Sequence, residues 1–389
     1  TGPVKQARND NSSSPVEGEK FRLLTVAREK IEDYLNQQHK AKKISDEIYK
    51  KAILVTYSNL ELWAIDEHIG RLSPKTQEAI FQAIEQGRWK DIVEVFRQDI
   101  TFGTAGIRGK AALTKEELYL LKGEGPRAGI LKGPNTINDI VLLRYTTGVI
   151  KYARQKRLHK VAIGYDSRIA GRQFAEMIAQ CFIGQSTPEH KFIVYLFDEA
   201  SPFPELSFGL TTKSVRAELG ILISASHNPS DYNGYKITDY TGSQLPQRMK
   251  NEVKTAIEGT KMADIKIRPL EEAGQGDLIW LGGREPLSGK DYKGVDLSKY
   301  FIDMHTLHIE QVKKFILDKE LSGRHAKNIK IGFSAFNGAG YQAVPRLLEE
   351  SGFKDVKKIT KLQELDGLFP AFGWGEQPDP GDPISAEIA

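Results

Sequence analysis

At 389 residues the chain is longer than one hydrophobic core usually supports, so two or more domains are expected, and its 40% apolar content suits a packed globular protein. A net charge of +4, from 55 basic and 51 acidic residues, gives no basic stripe of the kind nucleic acid requires. The single cysteine, Cys181, excludes a disulfide framework and makes a reducing, cytoplasmic compartment the default, and no apolar run approaches the roughly 18 residues of a membrane span.

Residues 1–20 are polar, lack the apolar stretch of a signal peptide, and read as a disordered tail. A helical segment over 21–98 follows. Ile31, Tyr34 and Leu35 share one face, Ile80, Ile84, Ile92, Val95 and Phe96 recur at helical steps, and Ser73-Pro74 marks a helix start. From there strands alternate with helices. Strands are expected at Val161–Tyr165, Phe192–Phe197 and Ile221–Ile223, with helices over Gly171–Ile183 and Pro204–Glu218 between them. Asn233-Gly234 reads as a hairpin turn, with a returning strand from Tyr235 that brings Lys236 back beside Ser226. A second unit is expected from about Val295, with a helix over Tyr300–Leu317, strands at Ile329–Phe333 and Asp355–Ile359, and a helix over Tyr341–Glu350. It ends in the Pro/Gly-rich FPAFGWGEQPDPGDP, which makes that unit look incomplete.

In layered α/β folds ligands collect beyond the carboxyl ends of strands. Three stretches carry chemistry there or nearby. Thr101–Gly109, with three glycines, Thr104 and Arg108, reads either as a tight structural turn or as an anion cradle. Asp166-Ser167-Arg168 reads as a local ion pair or a functional loop. The third, SASHNPSDYNGYK (Ser224–Lys236), crowds Ser226, His227, Asn228 and Lys236 onto a loop stiffened by Pro229. It is either a hydrogen-bonded surface loop or the site of an activated nucleophile or phosphate carrier.

SASHNPSDYNGYK closely resembles the active-site loop of the α-D-phosphohexomutases, the phosphoglucomutase and phosphomannomutase family. FGTAGIRG (102–109) and GYDSR (164–168) resemble two further markers of that family, in the same order. The helical approach through Phe96 is similar to that of its larger, phosphopentomutase-like branch. The resemblance implies an α/β fold: a layered mixed-sheet first domain over 99–294 with the phosphoserine loop, part of a second over 295–389, and no third or fourth domain. It implies Ser226 as the phosphorylated serine, His227 as its neighbour at the reacting centre, Lys236 as general base and Arg108 beside the transferring phosphate. Thr104, Arg168 and Asn228 join Arg108 and Lys236 as expected substrate contacts.

The expected reaction is an intramolecular phosphotransfer interconverting a sugar 1-phosphate and 6-phosphate, or a pentose 1- and 5-phosphate, through a bisphosphate. Mg2+ and a sugar bisphosphate activator are the implied cofactors, the metal held through the phosphate on Ser226. The implied partner is a small sugar phosphate, with neither nucleic acid nor membrane, and a monomer is the default. The sequence departs from the family in three ways. No DxDxD-type metal loop occurs, so the chain as given is expected to lack turnover, and Asp379 and Asp382 read as linker carboxylates. Asn337 stands where many relatives carry histidine. Residues 111–131 look like an insertion at the rim of the cleft. Two alternatives remain: a catalytically silent sugar-phosphate-binding or interaction protein on the same fold, and a hydrolase using His227 as nucleophile, for which no partner carboxylate is evident nearby.

Overall fold

The computed structural model describes residues 15–103, 106–283 and 300–388. Five helices open the chain: α1 (Pro15–Lys40), α2 (Asp46–Ile65), α3 (Glu67–Leu72), α4 (Pro74–Glu85) and α5 (Trp89–Phe96). Helix α1 begins inside the stretch read as a tail, since proline suits a first helical position, where no amide hydrogen is needed. Ile31 and Leu35 are buried as their spacing requires, and Trp63 meets Phe96 edge to face at 6.3 Å. These helices share one continuous hydrophobic cluster with the strands that follow.

A seven-stranded sheet forms the centre, in the order β1 (Gly106–Lys110), β5 (Tyr232–Asp239), β4 (Leu219–Ile223), β2 (Lys160–Tyr165), β3 (Ile193–Phe197), β6 (Leu278–Gly282), β7 (Phe301–Asp303). Strand β5 runs antiparallel to both neighbours; β4, β2, β3, β6 and β7 are parallel. Alternate residues face opposite layers. Val161, Ile163, Val194, Leu196, Leu219 and Ile221 pack in the cluster that also holds α7 (Asp139–Lys156), α8 (Gly171–Gln185) and α10 (Gln247–Glu258). Ala162, Tyr195, Phe197 and Leu222 pack with α9 (Phe203–Thr211) and Met304 of α11 (Met304–Lys313). Tyr235 and Ile237 belong to the first face, so Lys236 belongs to the second.

Several expectations shift. The helix expected to reach Glu218 stops at Thr211, where two β-branched threonines meet and Thr212 is extended. Residues 301–303, read as helix, form edge strand β7, and the Asp303 carboxylate then caps α11 by accepting from the Thr306 amide. The boundary expected near Val295 lies outside the described residues, yet β7 and α11 still pack on the first sheet. The 111–131 stretch forms α6 (Lys115–Glu124) and turns away from the cleft. Its Glu117 pairs with Arg88 at 2.8 Å and Glu124 with Lys75 at 2.7 Å, both on the amino-terminal helices. Asn233-Gly234 is no turn at all: both residues lie within β5, paired with Gly109 and Arg108 of β1, and a Cβ on Gly234 would sit 2.6 Å from the Ser224 carbonyl oxygen just past β4. The local turn signal yields to a close approach of three backbones.

Beyond α11 come α12 (Lys319–His325), α13 (Ala343–Glu350), α14 (Thr360–Gln363), α15 (Pro383–Ile388) and the parallel pair β8 (Lys330–Phe333) and β9 (Asp355–Lys358).

His305 of α11 ties this helix to the sheet. Its Nε2 lies 2.7 Å from Glu199 Oε1, and its Nδ1 contacts the fully buried Glu205. Burial disfavours its charge, but the hydrogen bonds to both carboxylates outweigh that and raise its pKa from 6.5 to about 10. A raised histidine pKa stabilises the fold fully below the unfolded value, and the contribution is lost as pH rises through the folded value. The stability difference between wild type and His305→Gln, measured by urea unfolding, should therefore be largest below 6.5 and fall to a pH-independent remainder above about 10. A difference constant across that window would rule out the charged state.

Candidate functional site

The loop from Ser224 to Asp231 leaves the carboxyl end of β4 and returns as β5. One side chain organises it. The Arg168 guanidinium, from the loop after β2, donates to the carbonyl oxygens of Ser226 (2.9 Å), Asn228 (2.5 Å), Pro229 (2.7 Å) and Tyr232 (2.9 Å). Its Nε lies 3.6 Å from Asp166 Oδ2, an ion-pair distance beyond hydrogen bonding. Burial pulls its basicity down, and the Asp166 and Asp231 carboxylates oppose that; an arginine stays charged through such a shift. The Phe369 ring covers it at 5.3 Å, and Gly367 bridges to the Arg168 backbone. The expectation that Arg168 binds substrate is corrected: both terminal nitrogens are spent on the loop's carbonyls and its side chain is buried.

Held this way, Ser226 sits exposed with φ of +59°, left-handed backbone that costs a non-glycine residue about 1–2 kcal/mol. Such strain persists only where the surroundings enforce it, and Arg168 is the enforcing contact.

Lys236 does not meet Ser226 by way of a hairpin. In register it faces Leu222 on β4 and Gly106 on β1, and its Nζ donates to Ser224 Oγ at 3.3 Å. Gly106 has φ of +132°, and a Cβ there would lie 1.9 Å from the Tyr235 carbonyl oxygen, so only glycine lets β1 approach Lys236 this closely. The lysine's pKa is lowered, first by burial and then by the neighbouring Arg108 guanidinium. Arg108 is exposed on β1 and has no hydrogen bond or ion pair among the described residues.

Two cavities meet at Lys236. One, of about 480 Å3, is lined by Thr101, Gly103, Gly106, Arg108, Lys236 and Gln244. The other, of about 520 Å3, takes in Asp166, Ser224, Ser226, His227 and Lys236, with the 334–340 loop and Pro378-Asp379-Pro380 across from them. Lys236 is shared by both cavities, with Arg108 on the first and Ser226 and His227 on the second. Thr104 lies outside the described residues. Asn228 is half-buried, lines neither cavity, and gives its carbonyl to Arg168. No residue of the 111–131 insertion lines either cavity.

Three features escaped the sequence. Asp379, read as a linker carboxylate, puts Oδ2 3.7 Å from His227 Nδ1, supplying the partner carboxylate that the sequence did not reveal. Phe369 caps Arg168. Ser224 links Lys236 to the loop, and only its place two residues beyond Leu222, on the same side of the strand, hints at this. Asn337 is buried, donating to the Glu364 carbonyl at 2.9 Å, and stands outside the cleft lining.

A magnesium ion needs several oxygen donors around one point. Among the described residues no three acidic, histidine or cysteine side chains converge on one. Asp166 Oδ1 accepts from the Arg168 amide, and Asp379 Oδ1 from the Gly381 amide. Asp382 Oδ1 accepts from the Ile384 amide at the start of α15. These residues do not by themselves fit the metal.

Residues 99–264 match the model of phosphoglucomutase/phosphomannomutase, alpha/beta/alpha domain I. The chain is 28% identical over 278 residues to a phosphoglucomutase of Staphylococcus aureus (strain MRSA252) and 25% identical over 279 residues to one of Staphylococcus haemolyticus. These matches cover 71% and 70% of this chain and 41% of each relative, so the chain spans about two fifths of their length. The crystal structure of a candidate phosphomannomutase from Thermus thermophilus superposes with a TM-score of 0.51 at 20% identity, covering 75% of this chain and 51% of that one. That likeness establishes the α/β fold.

If Arg168 enforces strain at Ser226, glycine should relieve it. Ser226→Gly should be more stable than Ser226→Ala by about 1 kcal/mol in chemical denaturation. Equal stabilities would mean the left-handed backbone is unstrained.

Proposed function

We propose that this chain, whose residues 99–264 carry the domain I of the phosphoglucomutase/phosphomannomutase family, serves a sugar-phosphate mutase in which Ser226 is the phosphoryl carrier. The observation that carries this reading is Ser226, on a strained and clamped loop, lining one cavity with Lys236, which also lines the adjoining cavity with Arg108. Phosphoryl transfer asks mainly for positioning and for positive charge around the moving group. Arg108 offers a two-pronged donor with no competing partner among the described residues.

In the proposed step, an oxygen of the sugar hydroxyl attacks phosphorus and the bond from phosphorus to Ser226 Oγ breaks. Lys236, as the neutral amine, takes the hydroxyl proton and passes it to the departing Ser226 Oγ. The product is a sugar bisphosphate. Return of its other phosphoryl group to Ser226 Oγ, with the proton handed back, leaves the isomeric monophosphate. Lys236 suits the base role because burial and Arg108 loosen its proton. His227, exposed beside Ser226 with Asp379 behind it, is placed to donate toward a phosphoryl oxygen. The substrate is thus a sugar 1- or 6-phosphate, or the pentose equivalent. A silent binding protein on this fold would have no need of a strained, solvent-facing serine.

Phosphopeptide mass spectrometry on the protein from its natural host should place a phosphoryl group on Ser226; finding it only on Ser224 or Ser230 would overturn the assignment. In the protein from that host, Lys236→Met should cut turnover about 100-fold or more while leaving thermal stability nearly unchanged. The wild-type rate should rise with pH and level off below 10.5, the ordinary lysine value, as the depressed Lys236 loses its proton. A normal rate per folded molecule in the variant would make Lys236 structural.

A further inference from the structure

The hydroxyl of Ser224 is buried, yet it touches the cleft that Ser226 lines. It accepts two hydrogen bonds, one from the Ser226 amide at 3.0 Å and one from Lys236 Nζ at 3.3 Å. A serine oxygen has two acceptor sites and one proton to give. Both acceptor sites are taken, so the proton occupies the remaining tetrahedral direction. Among the described residues no acceptor receives it, although buried hydroxyls ordinarily find one. The backbone around Ser224 is fixed as well: its amide donates to the Gly234 carbonyl at 3.1 Å, which locks the end of β4 to β5.

The geometry points to Ser224 as a positioning residue of this site, holding the Ser226 amide and the Lys236 amine in register and presenting its own hydroxyl proton to an oxygen of a phosphoryl group at Ser226. The inference rests on the phosphoserine reading and adds to it a second serine with a distinct task. One oxygen joins the residue proposed to carry the group to the residue proposed to take the proton. The two are thereby kept at a fixed separation while the group transfers. The free proton supplies a neutral donor where Arg108 supplies a charged one. A purely structural hydroxyl would satisfy itself within the protein, and this one does so only as an acceptor.

The test compares Ser224→Ala with Ser224→Thr, which keeps the hydroxyl, in the full-length protein. Two signals are read: the rate at which glucose 1,6-bisphosphate loads phosphoryl onto Ser226, and the pH profile of acylation at Lys236, both resolved by peptide mass spectrometry. Ser224→Ala should load about tenfold or more slowly. Its Lys236 profile should move to lower pH, because a hydrogen bond to the charged amine is gone. Ser224→Thr should restore both. An unchanged Lys236 profile in a folded Ser224→Ala overturns the positioning role whatever the loading does, as does a Ser224→Thr that behaves like alanine. If wild type takes no phosphoryl group on Ser226, the phosphoserine reading and the donor role both fall. A Lys236 profile that still shifts then shows that the failure lies with that reading and not with the hold of Ser224 on the lysine.

Discussion

Four carbonyl oxygens on one guanidinium determine the shape of the cleft. The Ser226–Tyr232 loop turns its carbonyls inward, where unmet acceptors would be costly, and Arg168 meets four of them from a single planar group. The carbonyls it binds lie 58 to 64 residues away in sequence, so the clamp exists only once β2, β4 and β5 are paired. The left-handed backbone at Ser226 and the exposure of its hydroxyl follow from it. The 366–369 segment closes over the clamp with Phe369 and Gly367, so residues late in the chain steady a loop built early in it.

The same economy appears in the charges. Arg168, buried with both terminal nitrogens on the loop's carbonyls, is a scaffold; Arg108, with an exposed side chain unpaired among the described residues, is a cation left for a ligand. Burial lowers the pKa of Lys236 most, both arginines lower it further, and Asp166 only partly offsets them. A lysine that releases its proton more readily than usual thus stands where two cavities join. The sheet assigns these tasks by its alternation: Tyr235 and Ile237 fill one layer, and Lys236 between them faces the cleft.

Much of this was legible in the sequence, for reasons that differ by element. The apolar runs of β2, β3 and β4 are buried on both faces and announce themselves. SASHNPSDYNGYK stands out because so many reactive groups follow a buried strand. The failures share one cause, the override of local signals by distant contacts. Asn233-Gly234 has turn chemistry but lies within β5, paired with β1. Residues 301–303 are too few to declare themselves a strand without β6 beside them. Asp166-Ser167-Arg168 gives no sign of the loop it holds, and Asp379 gives none of lying 3.7 Å from His227, since both facts depend on residues far along the chain. The local reading of Arg168 as half of an ion pair was too small, and its reading as a substrate contact pointed outward when the side chain points in.

Native-state hydrogen exchange at the Ser226, Asn228 and Tyr232 amides tests the clamp most directly, compared between wild type and Arg168→Lys. An ammonium keeps the charge but has three donors on one point, where the guanidinium spreads its donors over a plane to reach four carbonyls. Losing even one such charged bond costs about 1.5–3 kcal/mol. Exchange at these three amides should therefore quicken roughly tenfold or more, while amides of β2 and β3 keep their protection. Unchanged protection in the loop would contradict the account, because the strained serine would then be held by something other than Arg168.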